Sequence, residues 1–224
     1  MNTHYKVQGK ALELANAFGF LFPGEVFLIQ AIAQSLKDNA VMVCLGVGVG
    51  TGSLAMAEMK PDARLYSIDI SEGGPFGGLE NERNAFDAAN IHPYPLQTLG
   101  DSTKVHSRWD IISKNAKIDF LFIDADHSVD ALTKDIDGWA PFVRKGGYIA
   151  FHDYESVNWH GVTSVVDEKM KAGWQLVHSV DTLIVFQKVA VETITVEMTT
   201  VGNSKRSEQA TAKKVARGIA RATK

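Results

Sequence analysis

The chain has 224 residues, 45% hydrophobic and 22% charged, enough for one sizeable domain with a hydrophobic core or one domain plus a tail. A single cysteine, Cys44, excludes an intramolecular disulfide framework, and no apolar run approaches the length of a membrane span. The net charge of −3 hides an asymmetry: residues 203–224 hold seven Lys and Arg against Glu208 alone, so the preceding body is acidic and a poor general binder of nucleic acid.

The N-terminal stretch "MNTHYKVQGKALELANAF" lacks the apolar core of a signal peptide, so the expectation is a soluble cytoplasmic protein. Residues 6–17 and 23–36 read as helices, the second opened by Pro23. "AVMVCLG" is a short apolar strand that runs into glycine, and "TGSLAMAEM" resumes helical spacing. "ARLYSIDI" is a strand that ends in an acid, followed by the helix "GLENERNAFDAANI" and a weaker strand, "YPLQTLGD". The helix "STKVHSRWDIISKN" leads into the strand "IDFLFID", then the helix "VDALTKDIDGWAPFV", a turn "RKGG" and the strand "YIAFHD". Residues 160–172 read as a helix; "WQLVHSV" and "TLIVFQK" close the pattern as an antiparallel pair around Asp181.

Strands alternating with helices predict an α/β, Rossmann-like, doubly wound sheet: mostly parallel, helices on both faces, with a C-terminal antiparallel strand pair. The expected domain runs over 1–188, with N-terminal helices to residue 36 and the core from residue 40. Residues 189–202 alternate like an edge strand or an oligomer contact, which would suit a strand-mediated homodimer, and 203–224 read as a solvated basic tail.

In such sheets ligands bind beyond the carboxyl ends of the strands. The first strand ends in "LGVGVGTGSL", where alternate glycines let a backbone turn tightly and approach a ligand. A dinucleotide fingerprint G-x-G-x-x-G/A fails from Gly46 and Gly48 and fits only from Gly50, ending at Ala55, too far into the helix; a P-loop is excluded because no Gly-Lys-Ser/Thr follows. The loop resembles the first motif of class I S-adenosylmethionine-dependent methyltransferases, G-x-G-x-G after the first strand. The resemblance implies that Gly46, Gly48, Gly50 and Thr51 cradle S-adenosylmethionine; Cys44 stands where that family usually has an acid. Asp69, at the end of the second strand, is placed to accept both ribose hydroxyl protons. Asp101 and Ser102 follow the third strand, where the family has an acid near the adenine; Asp101 also reads as a plain helix N-cap.

"FLFIDADHSVDALTKDI" ends a buried strand in crowded acids, which is costly unless a cation, a proton or solvent relieves them. Together with "FHDY" it resembles the metal-dependent small-molecule O-methyltransferase branch, which includes catechol-type enzymes and enzymes acting on sugars and macrolides. The resemblance spans residues 18–188. It implies that Asp124, counted with the cofactor residues as well, His152 and Asp153 hold a divalent ion, Mg²⁺ or Mn²⁺, and that His127 is the general base, with Asp126 its rival or a fourth ligand. The implied acceptor is a small hydroxylated molecule. Phe20 and Glu25 would touch cofactor or lid, "SEGGPFGG" would be a flexible lid, Trp139 and Phe142 would be core, and Trp159 and His160 would lie near the acceptor. Two readings compete: a nicotinamide-dependent oxidoreductase, which lacks a placed fingerprint and a Tyr-x-x-x-Lys pair, and a non-catalytic module that binds cofactor or partner.

Overall fold

A computed structural model describes residues 9–189. Seven strands form one sheet in the order β3-β2-β1-β4-β5-β7-β6. β1 (Val41–Leu45), β2 (Arg64–Asp69), β3 (Leu96–Leu99), β4 (Ile118–Ile123) and β5 (Val143–Phe151) run parallel; β7 (Leu183–Lys188) lies antiparallel between β5 and β6 (Trp174–Val180). The expected architecture is therefore present, including the closing antiparallel pair. Of the strand expected over 189–202, residues 190–202 lie outside the described residues, as do the basic tail and any contact they make. No helix among the described residues is long and apolar enough to cross a membrane.

The reason for the apolar strands is burial on both faces. In β1, Met42 and Cys44 face one layer, while Val41, Val43 and Leu45 face the other. The first layer is covered by α1 (Lys10–Phe18), α2 (Pro23–Ser35), α3 (Thr51–Met59) and α4 (Leu79–Ala89). The second is covered by α5 (Ser102–Val105), α6 (Trp109–Ser113), α7 (Val129–Trp139) and α8 (His160–Lys169). Trp109 and Trp139, both fully buried, meet edge to face at 5.3 Å in that second layer. Truncating either to Ala would cost roughly 3–5 kcal/mol.

Two local expectations need correction. The stretch over 102–115 is not one helix: α5 and α6 are separated by a 3-10 turn at His106–Arg108, and Lys114 and Asn115 take positive φ. The segment "RKGG" is not a turn before β5 but part of it, with Gly146 at φ 75 beside a register shift against β4. Trp139 is core as expected, and Phe142 packs against the same cluster.

Candidate functional site

The strand order reverses direction between β1 and β4, so the loops after these two strands diverge and leave a crevice. A cavity of about 970 Å³ occupies it, walled by Gly46, Gly48, Asp69, Ser102, Asp124 and His152 among others. At its centre Gly46 (φ 74) donates its N–H to Ile68 O, while Asp124 N donates to Leu45 O. A Cβ on Gly46 would lie 2.0 Å from the Asp124 carbonyl oxygen, so only glycine lets the two strand ends meet. Gly48 has a different reason: a Cβ there would meet only Phe76 O, at an ordinary 3.9 Å, and it is the φ of 51 that disfavours a side chain. Gly50 and Thr51 are buried behind the cavity wall, and Thr51 Oγ1 has no hydrogen-bond partner.

Asp69 organises this end. Its Oδ2 accepts from Val47 N and its Oδ1 from Ser71 N, at 2.8 and 2.7 Å. An ionised carboxylate has lone pairs to spare for two further donors such as ribose hydroxyls. Asp101 caps α5 through Thr103 N and pairs with Lys104, which holds its carboxyl down to about 2. Ser102 Oγ donates to Asp135 Oδ2, and Trp139 Nε1 donates to Ser102 O, so α7 braces the turn from below. The segment 71–78, expected as a flexible lid, is tied at its base by Gly78 N to Gly48 O and Leu79 N to Ser71 O. Its tip stands out, with Phe76 82% exposed. Cys44 is buried with Sγ directed to Gly46 O at 3.3 Å, and its thiol pKa is pushed well up by burial and by Glu82, Asp124 and Asp69.

The other end is built from charge. Asp124, His127, His152 and Asp153 bring one donor atom each to within 4.8 Å of one another. His152 continues the β4–β5 ladder through its N–H to Ile123 O; Asp153 follows at φ 58, a left-handed conformation that Asp tolerates and that turns the chain at the strand end. His152 Nδ1 lies 3.1 Å from Asp124 Oδ1 and 3.4 Å from Asp153 Oδ2. His127 Nε2 lies 2.9 Å from Asp153 Oδ2 and 3.4 Å from Asp124 Oδ1, yet no aligned hydrogen bond satisfies it. Trp159 stacks on the His127 ring at 4.8 Å, whereas His160 opens α8 on the surface. Asp126, exposed on the cavity wall, accepts Ser128 N through Oδ1.

These contacts set the protonation of the four groups. Burial would push the His152 imidazole down, but the Asp124 charge and hydrogen bonds to Asp124, Asp153 and Glu25 outweigh it and raise it to about 12. His127 is raised to about 9 by Asp124 and Asp153 against the same burial effect. Asp124 and Asp153 are correspondingly held below the usual carboxylate range by the two histidines, in spite of their burial. Two imidazolium protons thus offset the crowded acids.

The donor set also fits a cation. Two carboxylates and two imidazoles converge, and the unsatisfied nitrogen of His127 faces the carboxylates rather than a hydrogen-bond acceptor aligned with it. Glu25, expected near cofactor or lid, is instead buried behind His152, with Oε2 3.2 Å from Nε2. Three residues after Phe22, it also accepts Phe22 N at 2.7 Å, a local use as a helix cap that gives no sign of a distant partner. Asp135 carried no signal either, being an acid on an otherwise ordinary amphipathic helix.

Residues 43–154 match a family profile described as a methyltransferase domain. An uncharacterized protein, R132, from Acanthamoeba polyphaga mimivirus is 29% identical over 147 residues, which cover 64% of this chain; the chain spans 65% of that relative's length. Among solved structures, the O-methyltransferase TomG of Streptomyces achromogenes, involved in tomaymycin synthesis and solved with S-adenosylmethionine, superposes with a TM-score of 0.61 at 17% identity. It covers 81% of this chain and 88% of its own. A Staphylococcus aureus protein described as a candidate caffeoyl-CoA O-methyltransferase gives a TM-score of 0.62 at 14% identity, covering 80% and 90%.

Proposed function

The chain belongs to the methyltransferase domain family, with the S-adenosylmethionine-dependent fold, and on that premise we propose that it methylates a hydroxyl oxygen of a small hydroxylated acceptor with the help of a divalent cation. The observation that carries this reading is the convergence of Asp124, His127, His152 and Asp153 on the wall of the same cavity that Gly46, Gly48 and Asp69 line. Gly46, Gly48, Asp69, Asp101 and Ser102 would hold S-adenosylmethionine, the methyl donor. Asp124, His152 and Asp153 would hold the cation. A bound dication supplies positive charge that positions acceptor oxygens and lowers the pKa of a hydroxyl. Mixed oxygen and nitrogen donors suit Mn²⁺ as well as Mg²⁺.

His127 is the proposed base. Asp124 and Asp153 hold it protonated through their charge and their contacts with Nε2. With their charge given to a bound cation, the imidazole would be free to take the hydroxyl proton as the acceptor oxygen attacks the methyl carbon. The O–CH3 bond forms as the S–CH3 bond breaks, S-adenosylhomocysteine leaves, and the proton remains on His127. Asp126, exposed on the same wall, is the alternative base. A second reading drops the cation and keeps the two histidines as an acid–base pair; the near-neutralisation of the acids by His127 and His152 favours it.

Calorimetric titration with S-adenosylhomocysteine and with NAD⁺, each with and without Mg²⁺ or Mn²⁺, tests the assignment. The expected result is binding of the first ligand only and a rise in Tm with the ion, from its preference for the folded state. Binding of NAD⁺ instead would overturn the cofactor, and methyl transfer that survives EDTA would leave the metal-free reading.

A further inference from the structure

We propose that Glu25 is a positioning residue for the acceptor end of the site: it fixes the His152 ring so that Nδ1, and not Nε2, faces Asp124 and Asp153. In its consequence for cation binding the proposal rests on the reading above; in its consequence for the ring it does not.

The geometry leaves little choice of proton. Glu25 sits in the first turn of α2, 127 residues from His152, and is 0% exposed. Its Oε1 accepts from Thr182 N and from Thr182 Oγ1, both at 2.8 Å. Its Oε2 accepts from Phe22 N at 2.7 Å and meets His152 Nε2 at 3.2 Å. The backbone partners can only donate, so the carboxylate is used as an acceptor on both oxygens. The proton between Glu25 and His152 therefore belongs to Nε2. With Nε2 committed, Nδ1 is the ring atom presented to the cluster, at 3.1 Å from Asp124 Oδ1. A carboxylate that holds the far nitrogen of a ligating imidazole fixes its tautomer and orientation and raises its basicity. Three remote pieces of chain, α2, the end of β5 and the β6–β7 turn, meet at this one buried carboxylate. A helix cap alone would need Phe22 N; it would not need His152 or Thr182.

The test uses the full-length protein stripped of ions, wild type beside Glu25→Gln and Thr182→Val. Two quantities are read: Mn²⁺ affinity by electron paramagnetic resonance, and the His152 Nε2–H by ¹⁵N–¹H correlation in the ion-free state. The wild type is expected to show a hydrogen-bonded, exchange-protected proton on Nε2. Glu25→Gln should lose that protection and bind Mn²⁺ roughly 10- to 100-fold more weakly, with S-adenosylhomocysteine affinity within about twofold. Thr182→Val, which keeps Glu25 against His152 and removes only the weaker 3.4 Å approach of Thr182 Oγ1 to Nε2, should stay within about threefold for Mn²⁺. A wild-type His152 with no proton on Nε2 overturns the proposal, even if Glu25→Gln fails to fold. So does a folded Glu25→Gln protein with unchanged Nε2–H protection. If the wild type binds no Mn²⁺, the cation reading falls, and the imidazole signal alone decides whether Glu25 orients His152.

Discussion

The two ends of the cavity are made of different materials. At the cofactor end, the partners are backbone groups of the adjoining loops: Asp69 accepts from Val47 N and Ser71 N, Asp101 accepts from Thr103 N, and Gly78 N donates to Gly48 O. At the acceptor end, three carboxylates and two imidazoles arrive from α2, the end of β4, the start of α7 and the end of β5. On the proposed reading the first end would work by shape, with a loop already folded around the space to be filled. The second would work by charge, since its acids and imidazoles offset one another. Damage to the second end should therefore remove chemistry while leaving cofactor binding, and damage to the first should do the reverse.

The largest break in that comparison is expected from Asp153→Asn. It removes the negative charge that faces His127 at 2.9 Å and weakens one of the four converging donors. Methyl transfer should fall by about 10²- to 10⁴-fold, the range associated with losing a positioned acid–base or ligand group. The dissociation constant for S-adenosylhomocysteine should change by no more than about twofold, because additivity holds between independent parts of a site. An equal loss in both would show that the two ends are one unit.

What could be read from the chain follows the same division. The alternation of Val41, Met42, Val43, Cys44 and Leu45 between two cores, the glycine loop and the terminal acids of β2 and β4 are local patterns, and each stands where its pattern implies. Asp124 and His152, 28 residues apart, were legible because each ends a strand of one sheet, so strand order brings them together. Glu25 was not, because a carboxylate three residues after a helix start has a sufficient local use, and nothing local records a partner 127 residues away. The broken helix over 102–113 failed for a related reason: Trp109 follows the demand of the second core layer, and Lys114 and Asn115 adopt left-handed backbone that helical spacing cannot show. The individual reason for each glycine was equally hidden, since the 2.0 Å approach of Gly46 to Asp124 O belongs to strand packing and not to the loop motif.

Asp135 joins the two ends, lying beneath Ser102 with Asp101 and Asp126 as its nearest acidic influences. It is 0% exposed, Ser102 Oγ satisfies one oxygen, and Oδ1 has no partner. Burial raises its pKa from 3.8 to about 7, offset in part by Ser102 and assisted by Asp101 and Asp126. Between those pH values the folded protein keeps a proton that the unfolded chain releases, so stability falls as pH climbs from 4 to 7. Asp135→Asn keeps the shape and abolishes that titration. At pH 7 it should be more stable than wild type by about 2–4 kcal/mol, and near pH 4 by almost nothing. Tm measured for both proteins across this range checks it; a constant difference would mean that Asp135 is ionised throughout.

Asp69→Ala should reverse the pattern of Asp153→Asn. Its carboxylate would accept the ribose hydroxyls and already steadies Val47 N and Ser71 N. Cofactor affinity should weaken roughly 10- to 100-fold, about 1.5–3 kcal/mol for hydrogen bonds to a charged acceptor, with turnover at saturating S-adenosylmethionine little changed. Calorimetry gives the affinity and initial rates give the turnover. Unchanged affinity would place the adenosine elsewhere in the cavity.

The finest distinction concerns Trp159, which stands 45% exposed and stacked on His127 at 4.8 Å with 21° between the planes. A ring face beside an imidazolium is attractive, and such contacts are worth about 0.5–1 kcal/mol at exposed sites. Trp159→Leu keeps an apolar side chain but removes that face, so the His127 ring gains freedom without losing Asp124 or Asp153. If His127 must be held in line with the acceptor hydroxyl, kcat should fall about two- to fivefold, the equivalent of that contact energy, while affinity for S-adenosylhomocysteine stays the same. Trp159→Phe should recover most of the loss, since it restores a ring of the same orientation. A change in cofactor affinity would move Trp159 to the other end of the cavity. A fall confined to KM for the acceptor would make it a surface for the acceptor itself rather than a support for the base.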